Sequence, residues 1–320
     1  MPFHEVESVV IPVVVLLGPT AVGKTEIAIL LAERLEGEIV SADSRMFYRG
    51  MDIGTAKPTL KERQRVPHHL IDVAEPDLPW NLATFQERAR QALFNIRTRG
   101  RLPFLVGGTG QYLRAVIQNW QLPKVEPDQR LRNALEAWAE EIGQQGLHDR
   151  LAALDPQAAS AIDPRNLRRT VRALEVIFCT GRPFSEQRLQ SISAYQVCLI
   201  GLTRPRPELY DRIDRRIETM LESGLVAEVQ GLLERGLSPE LPVFSAIGYR
   251  EIIAFLQGKM NLEQAEIEIK RSTRILVRRQ ANWFKAQDPS IRWFDLSETN
   301  PSNIEAFIHH WIESIQTPMI

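Results

Sequence analysis

The sequence predicts an α/β fold of P-loop NTPase-like type, a parallel sheet with helices on both faces, plus an all-helical insertion domain. A G-x-x-x-x-G-K-T loop at 18–25 follows an apolar run and precedes a helical pattern, which is the strand, turn and helix order of a phosphate-binding loop. Apolar runs and helical patterns then alternate over 1–122, as in a parallel sheet. Helical spacing alone follows over 123–192. Residues 193–320 are expected to complete the core and to add C-terminal basic helices.

The composition excludes several classes of protein. The 320 residues are 44% hydrophobic and 25% charged, with a net charge of −1, which argues against a protein that coats nucleic acid everywhere but allows local basic faces. Cys179 and Cys198 are too few for a disulfide framework or a Cys-rich zinc site. Glu5 and Glu7 stand where a basic leader would be, and the apolar run over 9–17 is too short to span a bilayer. We therefore expect a cytoplasmic protein without a membrane segment.

The first strand, Val13 to Leu17, is followed by the phosphate loop and by a predicted helix over 26–35. The loop consists of Gly18, Pro19, Thr20, Ala21, Val22, Gly23, Lys24 and Thr25. Its glycines allow a compact turn with inward N–H groups, Lys24 adds a cation, and the Thr25 hydroxyl can hold Mg²⁺. The loop alone does not distinguish a nucleoside triphosphate from another diphosphate. A turn that merely caps a helix is the structural alternative.

The second predicted strand, Glu38 to Ala42, runs directly into Asp43. Because open parallel sheets bind ligands at the carboxyl ends of their strands, Asp43 and the phosphate loop should face one crevice. A helix N-cap or a turn is the alternative role for this aspartate. A third strand is predicted over 67–73, where the adjacent His68 and His69 point to opposite faces and cannot chelate one metal.

A helix is predicted over 82–99 and the next buried strand over 102–106. This strand ends in Gly107-Gly108-Thr109-Gly110. It lacks the Asp that holds Mg²⁺ in P-loop NTPases, which argues against an ATPase. The strand end instead offers backbone N–H groups and the Thr109 hydroxyl to a ligand, although a tight turn that starts a helix at Gln111 explains the glycines equally well.

The insertion contains helical patterns over 131–142, 147–154 and 167–178. Four arginines fall around the start of the last pattern, at Arg165, Arg168, Arg169 and Arg172. Their spacing places several of them on one helix face. Such a face either forms salt bridges in solvent or contacts nucleic acid.

The chain then returns to the sheet with a predicted strand over 195–202 and a helix over 207–222. This helix carries Arg212, Arg215 and Arg216, and the pattern does not choose among them. A further amphipathic helix is predicted from Pro301 onward.

A long helical pattern over 262–287 carries a basic face. Between 270 and 285 it has no Asp or Glu and six cations, Lys270, Arg271, Arg274, Arg278, Arg279 and Lys285. Trp283 and Phe284 lie at its end. Phosphate contacts and base stacking suit this composition better than a solvent-facing helix, which usually mixes charges.

Taken together, the motifs resemble those of the tRNA dimethylallyltransferases (tRNA isopentenyltransferases) over most of the chain from Val13 to Lys285. The segments that carry the resemblance are 18–25, Asp43-Ser44 with Tyr48, 50–58, 67–72, 107–110, 166–175, 246–250 and 279–284. That family transfers a dimethylallyl group from dimethylallyl diphosphate to N6 of the adenosine on the 3′ side of certain tRNA anticodons. The resemblance implies that the loop holds a diphosphate leaving group and not ATP.

The resemblance also implies roles for individual residues. Asp43 would be the general base, Thr109 would orient the diphosphate or the nucleotide, and Lys24 and Arg212 would stabilise the departing diphosphate, with the cofactor Mg²⁺ on Thr25. The residues expected to contact the tRNA anticodon stem-loop are Asp43, Ser44, Arg45, Met46, Thr109, Arg130, Arg168, Arg169, Gly248, Tyr249, Arg250, Arg278, Arg279, Gln280, Trp283 and Lys285. We expect a monomer.

Two other classes of protein share part of this pattern. A nucleoside or small-molecule kinase would have the phosphate loop. A non-catalytic RNA-binding module would have the basic helices, but it would leave the loop and Asp43 without a function.

Overall fold

The computed structural model describes residues 10–78, 80–123, 125–186 and 194–316, which fold as two compact units. One unit is built from the chain up to Ile117 and again from Ala194 onward, and the other from Gln118 to Ser193. The predicted insertion, 123–192, falls within the second unit.

The first unit is organised around a parallel sheet, which confirms the predicted α/β class. The strands are β1 (Ile11–Leu17), β2 (Gly37–Ser41), β3 (His68–His69), β4 (Leu102–Gly107), β5 (Tyr195–Thr203) and β6 (Ile291–Asp295). In the described residues they lie in the order β3-β2-β4-β1-β5-β6, and each pair is parallel. The central β1 has the sequence IPVVVLL and is almost wholly buried, as expected for a parallel strand covered on both faces.

The register of the strands brings three strand ends to one edge of the sheet. Leu17 of β1 pairs with Gly107 of β4, and Ser41 of β2 pairs with Val106 of β4. The phosphate loop after β1, the aspartate turn after β2 and the glycines after β4 therefore emerge side by side.

The described helices are α1 (Lys24–Arg34), α2 (Leu60–Arg65), α3 (Leu82–Thr98), α4 (Gly110–Ile117), α5 (Gln129–Leu154), α6 (Pro156–Ser160), α7 (Leu167–Thr180), α8 (Arg206–Glu222), α9 (Leu225–Glu234), α10 (Tyr249–Leu256), α11 (Leu262–Ala281) and α12 (Pro301–Gln316), with a 3₁₀ helix over Pro242–Ser245. The crossovers β1–α1–β2 and β3–α3–β4 run in opposite directions along the sheet. Because such crossovers are right-handed, α1 and α3 cover opposite faces. Among the described helices, none is long and apolar enough to cross a membrane.

The second unit, which contains α5, α6 and α7, has a hydrophobic core of its own, with Leu135, Leu147, Leu151, Val171 and Leu174 among its buried members. Both helices predicted over 131–142 and 147–154 lie within α5. The helix changes direction at Gly143, whose φ of 80° and ψ of 158° are not helical and which glycine adopts without a Cβ penalty.

The structure corrects two predicted boundaries. The strand predicted over 67–73 is wrong in length, because β3 contains only His68 and His69. The φ angles of Leu70 and Asp72, 62° and 57°, lie outside the extended region and end the strand. The long helix α11 ends at Ala281 and not at 287. The elements α2, α6, α9, α10 and β6 were not predicted.

Candidate active site

The phosphate loop is shaped by two glycines with positive φ. Gly18 has a φ of 151°, and a Cβ there would lie 2.5 Å from the Leu202 carbonyl oxygen. Gly23 has a φ of 109° and is the N-cap of α1 without any side-chain cap. Since no side chain among the described residues caps the start of α1, its first N–H groups remain open to an anion.

Two arginines brace the loop from its outer side. Arg212 Nε donates to the Ala21 carbonyl oxygen at 2.8 Å, and Arg204 Nε donates to the Val22 carbonyl oxygen at 3.0 Å. Arg212, the predicted diphosphate clamp, therefore lies against the loop backbone and holds its conformation.

Lys24 is hydrogen-bonded within the loop that it serves. Its Nζ donates to the carbonyl oxygens of Gly18 and Pro19 at 3.0 and 2.7 Å. Burial of the ammonium lowers the pKa of Lys24 from 10.5 to about 8; the negative charge of Asp43 opposes this drop, and the positive charge of Arg216 adds to it. The three charged groups are thus close enough to interact.

Asp43 uses one carboxylate oxygen for structure. Its Oδ1 accepts from the Arg45 N–H at 3.0 Å, and its own N–H donates to Ser41 Oγ at 3.3 Å. Asp43 therefore does stabilise a turn, which was one of the alternative roles that the sequence left open. In the part of the chain that the structure describes, Oδ2 has no hydrogen-bond partner, so one oxygen fixes the turn while the other can accept a proton.

A cleft of about 360 Å³ opens at this edge of the sheet. Its polar side is formed by Thr20 and Ala21 of the phosphate loop, by Asp43, and by Gly108 and Thr109 after β4. The structure thus brings together the three strand ends that the sequence placed at one crevice.

Part of the cleft lining is apolar, and this part was not predicted. Ile213, Ile217 and Met220 of α8 belong to it, together with Ile269 and Leu276 of α11. Five aliphatic side chains in the same cleft as a phosphate loop suit a ligand with a hydrocarbon part and an anionic part.

Arg216 is a further lining residue that the sequence did not single out. Burial lowers its pKa, the charge of Asp43 opposes this effect, and Arg212 adds to it. Its spacing from Ile213, Ile217 and Met220 is that of one helix face. A cation within an otherwise apolar helix face was the available sequence feature, and it indicates Arg216 as the arginine of α8 that faces the cleft.

The end of α11 docks on the glycines after β4. Gln280 Oε1 accepts from the Thr20 N–H at 2.9 Å, and Gln280 Nε2 donates to the Gly108 carbonyl oxygen at 3.1 Å. A Cβ on Gly110 would lie 2.3 Å from the Trp283 side chain. The glycines at this strand end are therefore required for close packing against α11 as well as for the turn.

The loop after β2 is held by a carboxylate that the sequence analysis missed. Glu228 accepts from the N–H groups of Asp52, Ile53 and Gly54 at 2.7–3.1 Å and from the Tyr249 hydroxyl at 2.6 Å. The N–H groups of this loop are thus satisfied from within the protein. No local pattern in the sequence links α9 to a loop about 175 positions earlier.

Tyr249 was predicted to contact tRNA, but its position disagrees with that role. The side chain is fully buried, and burial together with the neighbouring Glu228 charge raises the pKa of its hydroxyl far above its usual value. In this structure Tyr249 supports the loop and does not reach the cleft, whereas its neighbour Gly248 lines the cleft.

The other residues predicted to bind tRNA divide into two groups. Ser44, Arg45, Thr109, Gly248, Arg279, Gln280 and Trp283 line the cleft with Asp43. Met46, Arg250, Arg278 and Lys285 do not. Of these, Met46 lies 3.7 Å from Ser41 Oγ through its sulfur, and Arg250 pairs with the buried Glu251.

Half of the predicted basic face of α11 is neutralised by acids from other positions. Lys270 pairs with Glu218 and Glu266, Arg271 with Glu268, and Arg274 with Asp214. Arg278, Arg279 and Lys285 form no ion pair among the described residues. The net positive charge therefore concentrates at the end of α11 next to the cleft.

The arginines of the second unit also fall into two groups, those with an acidic partner and those without one among the described residues. Arg165 pairs with Asp163, and Arg172 pairs with the fully buried Glu175. The predicted tRNA contacts Arg168 and Arg169 are exposed and have no acidic partner in the part of the unit that is described. Arg130, at the start of α5, is likewise exposed.

The residues at the loop fit a magnesium ion only if the ligand supplies most of its oxygens. The Thr25 hydroxyl makes no hydrogen bond with other described residues, so it is available. No group of three or more His, Cys, Asp or Glu side chains that could hold a metal occurs in the described residues. Mg²⁺ commonly binds in this way, through phosphate oxygens and water with few protein ligands.

Comparison with known proteins agrees with this geometry. The IPP transferase family model matches residues 46–287. The tRNA dimethylallyltransferase of Roseiflexus sp. (strain RS-1) is 53% identical over 275 residues, which cover 86% of this chain and 90% of the relative. The full-length tRNA isopentenylpyrophosphate transferase of Bacillus halodurans superposes with a TM-score of 0.70 at 44% identity, covering 95% of this chain and 96% of that one. A eukaryotic dimethylallyltransferase acting on tRNA superposes with a TM-score of 0.81 at 28% identity, covering 95% and 79%.

Proposed function

The chain belongs to the tRNA dimethylallyltransferase family and prenylates adenosine in tRNA, and we propose that its cleft uses dimethylallyl diphosphate as the donor. The acceptor is N6 of the adenosine on the 3′ side of the anticodon, and diphosphate is released. One observation carries this proposal: the phosphate loop, a carboxylate with a free oxygen and an aliphatic wall line a single cleft.

The phosphate loop stabilises the leaving group. As the bond between C1 of the donor and the diphosphate oxygen breaks, negative charge accumulates on the diphosphate, and an allylic cation is delocalised over the five-carbon fragment. The open N–H groups of α1, Lys24 and Arg216 offset this negative charge. Thr25 would hold Mg²⁺ through its hydroxyl, and the ion would supply further neutralisation of the negative charge on the leaving group. The wall of α8 and α11 keeps water away from the cation.

Asp43 accepts the proton that the acceptor loses. When N6 of the adenine forms its bond to C1, it carries one proton too many, and Oδ2 of Asp43 takes that proton. The Oδ1 bond to the Arg45 N–H keeps the carboxylate aimed into the cleft. The adenine must leave its stack to reach this position, which costs only a few kcal/mol in an RNA loop.

We further propose that the protein acts as a monomer, in the cytoplasm where its tRNA substrate is found.

The test is to incubate the purified protein with Mg²⁺, dimethylallyl diphosphate and unmodified tRNA, and to weigh the nucleosides after digestion. We expect an adenosine that is heavier by one dimethylallyl group. Asp43→Ala should lower turnover about 10²-fold or more while tRNA affinity stays nearly unchanged. A variant that loses tRNA binding but keeps its rate contradicts the base assignment, and turnover of ATP with no need for a prenyl donor would establish a kinase.

A further inference from the structure

We propose that Gln280 is a positioning residue. It holds the phosphate loop and the glycine turn after β4 (107–110) at a fixed separation and connects both to α11. Its carboxamide bridges the two loops, accepting from the Thr20 N–H at 2.9 Å and donating to the Gly108 carbonyl oxygen at 3.1 Å. A carboxamide is the side chain that can do both at once, because it has an acceptor oxygen and a donor nitrogen on one carbon.

The packing around Gln280 is built to keep this bridge in place. A Cβ on Gly108 would lie 2.4 Å from Gln280 Nε2, so glycine is needed there for the carboxamide to fit. One turn further, the Trp283 carbonyl oxygen accepts from the Arg114 guanidinium, which also lies over the Trp283 ring. The segment at the end of α11 is therefore fastened twice, at Gln280 to the two loops and at Trp283 to Arg114 of α4.

The bridge matters for catalysis because the two loops carry different partners of the reaction. This step rests on the proposed function, in which the phosphate loop holds the donor, and on the second of the two roles expected for Thr109, next to Gly108, which is to orient the nucleotide. Displacement of reacting groups by about 1 Å can cost about 10²-fold in rate. Among the described hydrogen bonds, only those of Gln280 connect Thr20 to the glycine turn after β4.

The role differs from a direct tRNA contact, which the family resemblance implied for Gln280. A residue that only contacts tRNA changes tRNA affinity and leaves diphosphate binding in the absence of tRNA unaffected. A residue that orders the phosphate loop changes diphosphate binding even when no tRNA is present. The two roles are therefore separable by experiment.

The first experiment compares Gln280→Ala and Gln280→Glu with the wild type, and uses Gln287→Ala and Gln287→Glu as matched controls at an exposed position outside the cleft. Binding of inorganic diphosphate with Mg²⁺ is measured calorimetrically without tRNA. We expect about tenfold weaker binding for Gln280→Ala, because the phosphate loop loses the hydrogen bond that fixes Thr20 and is then less well ordered for the anion. Gln280→Glu should bind more weakly still, because it adds a negative charge beside the anion. The maximal single-turnover rate should fall about 10²-fold, with tRNA affinity and the melting temperature close to those of the controls.

Unchanged diphosphate binding together with weaker tRNA binding would overturn the proposal in favour of a direct contact. Melting temperatures that fall well below those of the controls, with both ligands affected in proportion, would overturn it in favour of a purely structural role. If the wild type binds diphosphate but transfers no prenyl group, the proposed function fails while the comparison of diphosphate affinities still tests Gln280.

A double-mutant cycle provides a second test. Gly108→Ala should displace the carboxamide and lower the single-turnover rate much as Gln280→Ala does. In the double variant the contact with the carboxamide is gone, and the nearest remaining neighbour of the added methyl group is the Gly18 carbonyl oxygen at 3.2 Å. Most of the two losses should therefore not add, and the rate should match that of Gln280→Ala within about threefold. Fully multiplicative losses would show that Gly108 and Gln280 act independently, and would refute the bridge.

Discussion

Replacing Lys24 by Met should change the pH dependence of stability as well as remove activity. The Lys24 ammonium is desolvated in the folded protein, and this burial lowers its pKa from 10.5 to about 8. The folded state therefore binds this proton less tightly than the unfolded chain, so protonation of Lys24 opposes folding. A charged lysine at this position of the loop therefore has a cost in stability.

The magnitude follows from the two pKa values. At about 1.4 kcal/mol per pKa unit, the charged Lys24 destabilises the fold by about 3 kcal/mol below pH 8. The penalty decreases as the pH rises from 8 to 10.5, because the folded protein releases the proton first. Between pH 7 and pH 10 the wild type should gain about 2.5 kcal/mol of unfolding free energy relative to Lys24→Met. At pH 7 itself, the loss of two hydrogen bonds to loop carbonyls offsets part of the variant's advantage, at about 1 kcal/mol each.

The assay is urea unfolding of both proteins at a series of pH values from 7 to 10. Taking the difference between wild type and variant removes the titration of all other groups. Lys61→Met is the matched control, since it removes an exposed ammonium on α2 and reports the effect of the charge change alone. A difference between wild type and Lys24→Met that stays constant across this range would refute the assignment of a desolvated ammonium to the loop.

Three further predictions concern other parts of the molecule. Glu228→Gln should destabilise the protein by about 2–4 kcal/mol, because three N–H groups and one hydroxyl that donate to Glu228 lose a charged acceptor. A change in the free energy of urea unfolding below about 0.5 kcal/mol would contradict this. Gly201→Ala should cost about 1–3 kcal/mol by the same measurement, since its Cβ would lie 2.4 Å from the Trp293 ring, and an unaltered midpoint would show that the ring can move. Alanine at both Arg278 and Arg279 should weaken tRNA binding and reduce the slope of log affinity against log salt by about 1–2, whereas a parallel salt dependence would exclude them as phosphate contacts.

Much of the polar side of the site could be predicted because it follows from local order along the chain. A phosphate loop after β1 and an aspartate directly after β2 must lie at the carboxyl edge of a parallel sheet, whatever the remaining packing. The same reasoning placed Thr109 there. For Asp43, however, the local pattern did not distinguish a turn residue from a reactive residue. The structure shows that Oδ1 forms the turn, while Oδ2 has no hydrogen-bond partner among the described residues.

The basic face of α11 illustrates where local reasoning is incomplete. The stretch contains no acid between 270 and 285, yet Lys270 and Arg274 pair with Glu218 and Asp214 of α8. These partners are 52 and 60 positions away, and charge patterning within one helix carries no information about them. The packing of α8 against α11, together with the pairing of Arg271 with Glu268 inside α11, decides which cations remain for RNA.

The sequence by itself determined the class of sheet, the position of the phosphate loop, the carboxylate beside it and, through its motifs, the family. These features depend on residues that are neighbours along the chain, where strand period, glycine conformation and helix ends act directly. The tertiary structure alone decided that Tyr249 is buried on Glu228 and that Gln280 joins two loops. Each of these depends on which distant helix face packs on which strand end, and that choice is made by the whole core and by no single segment.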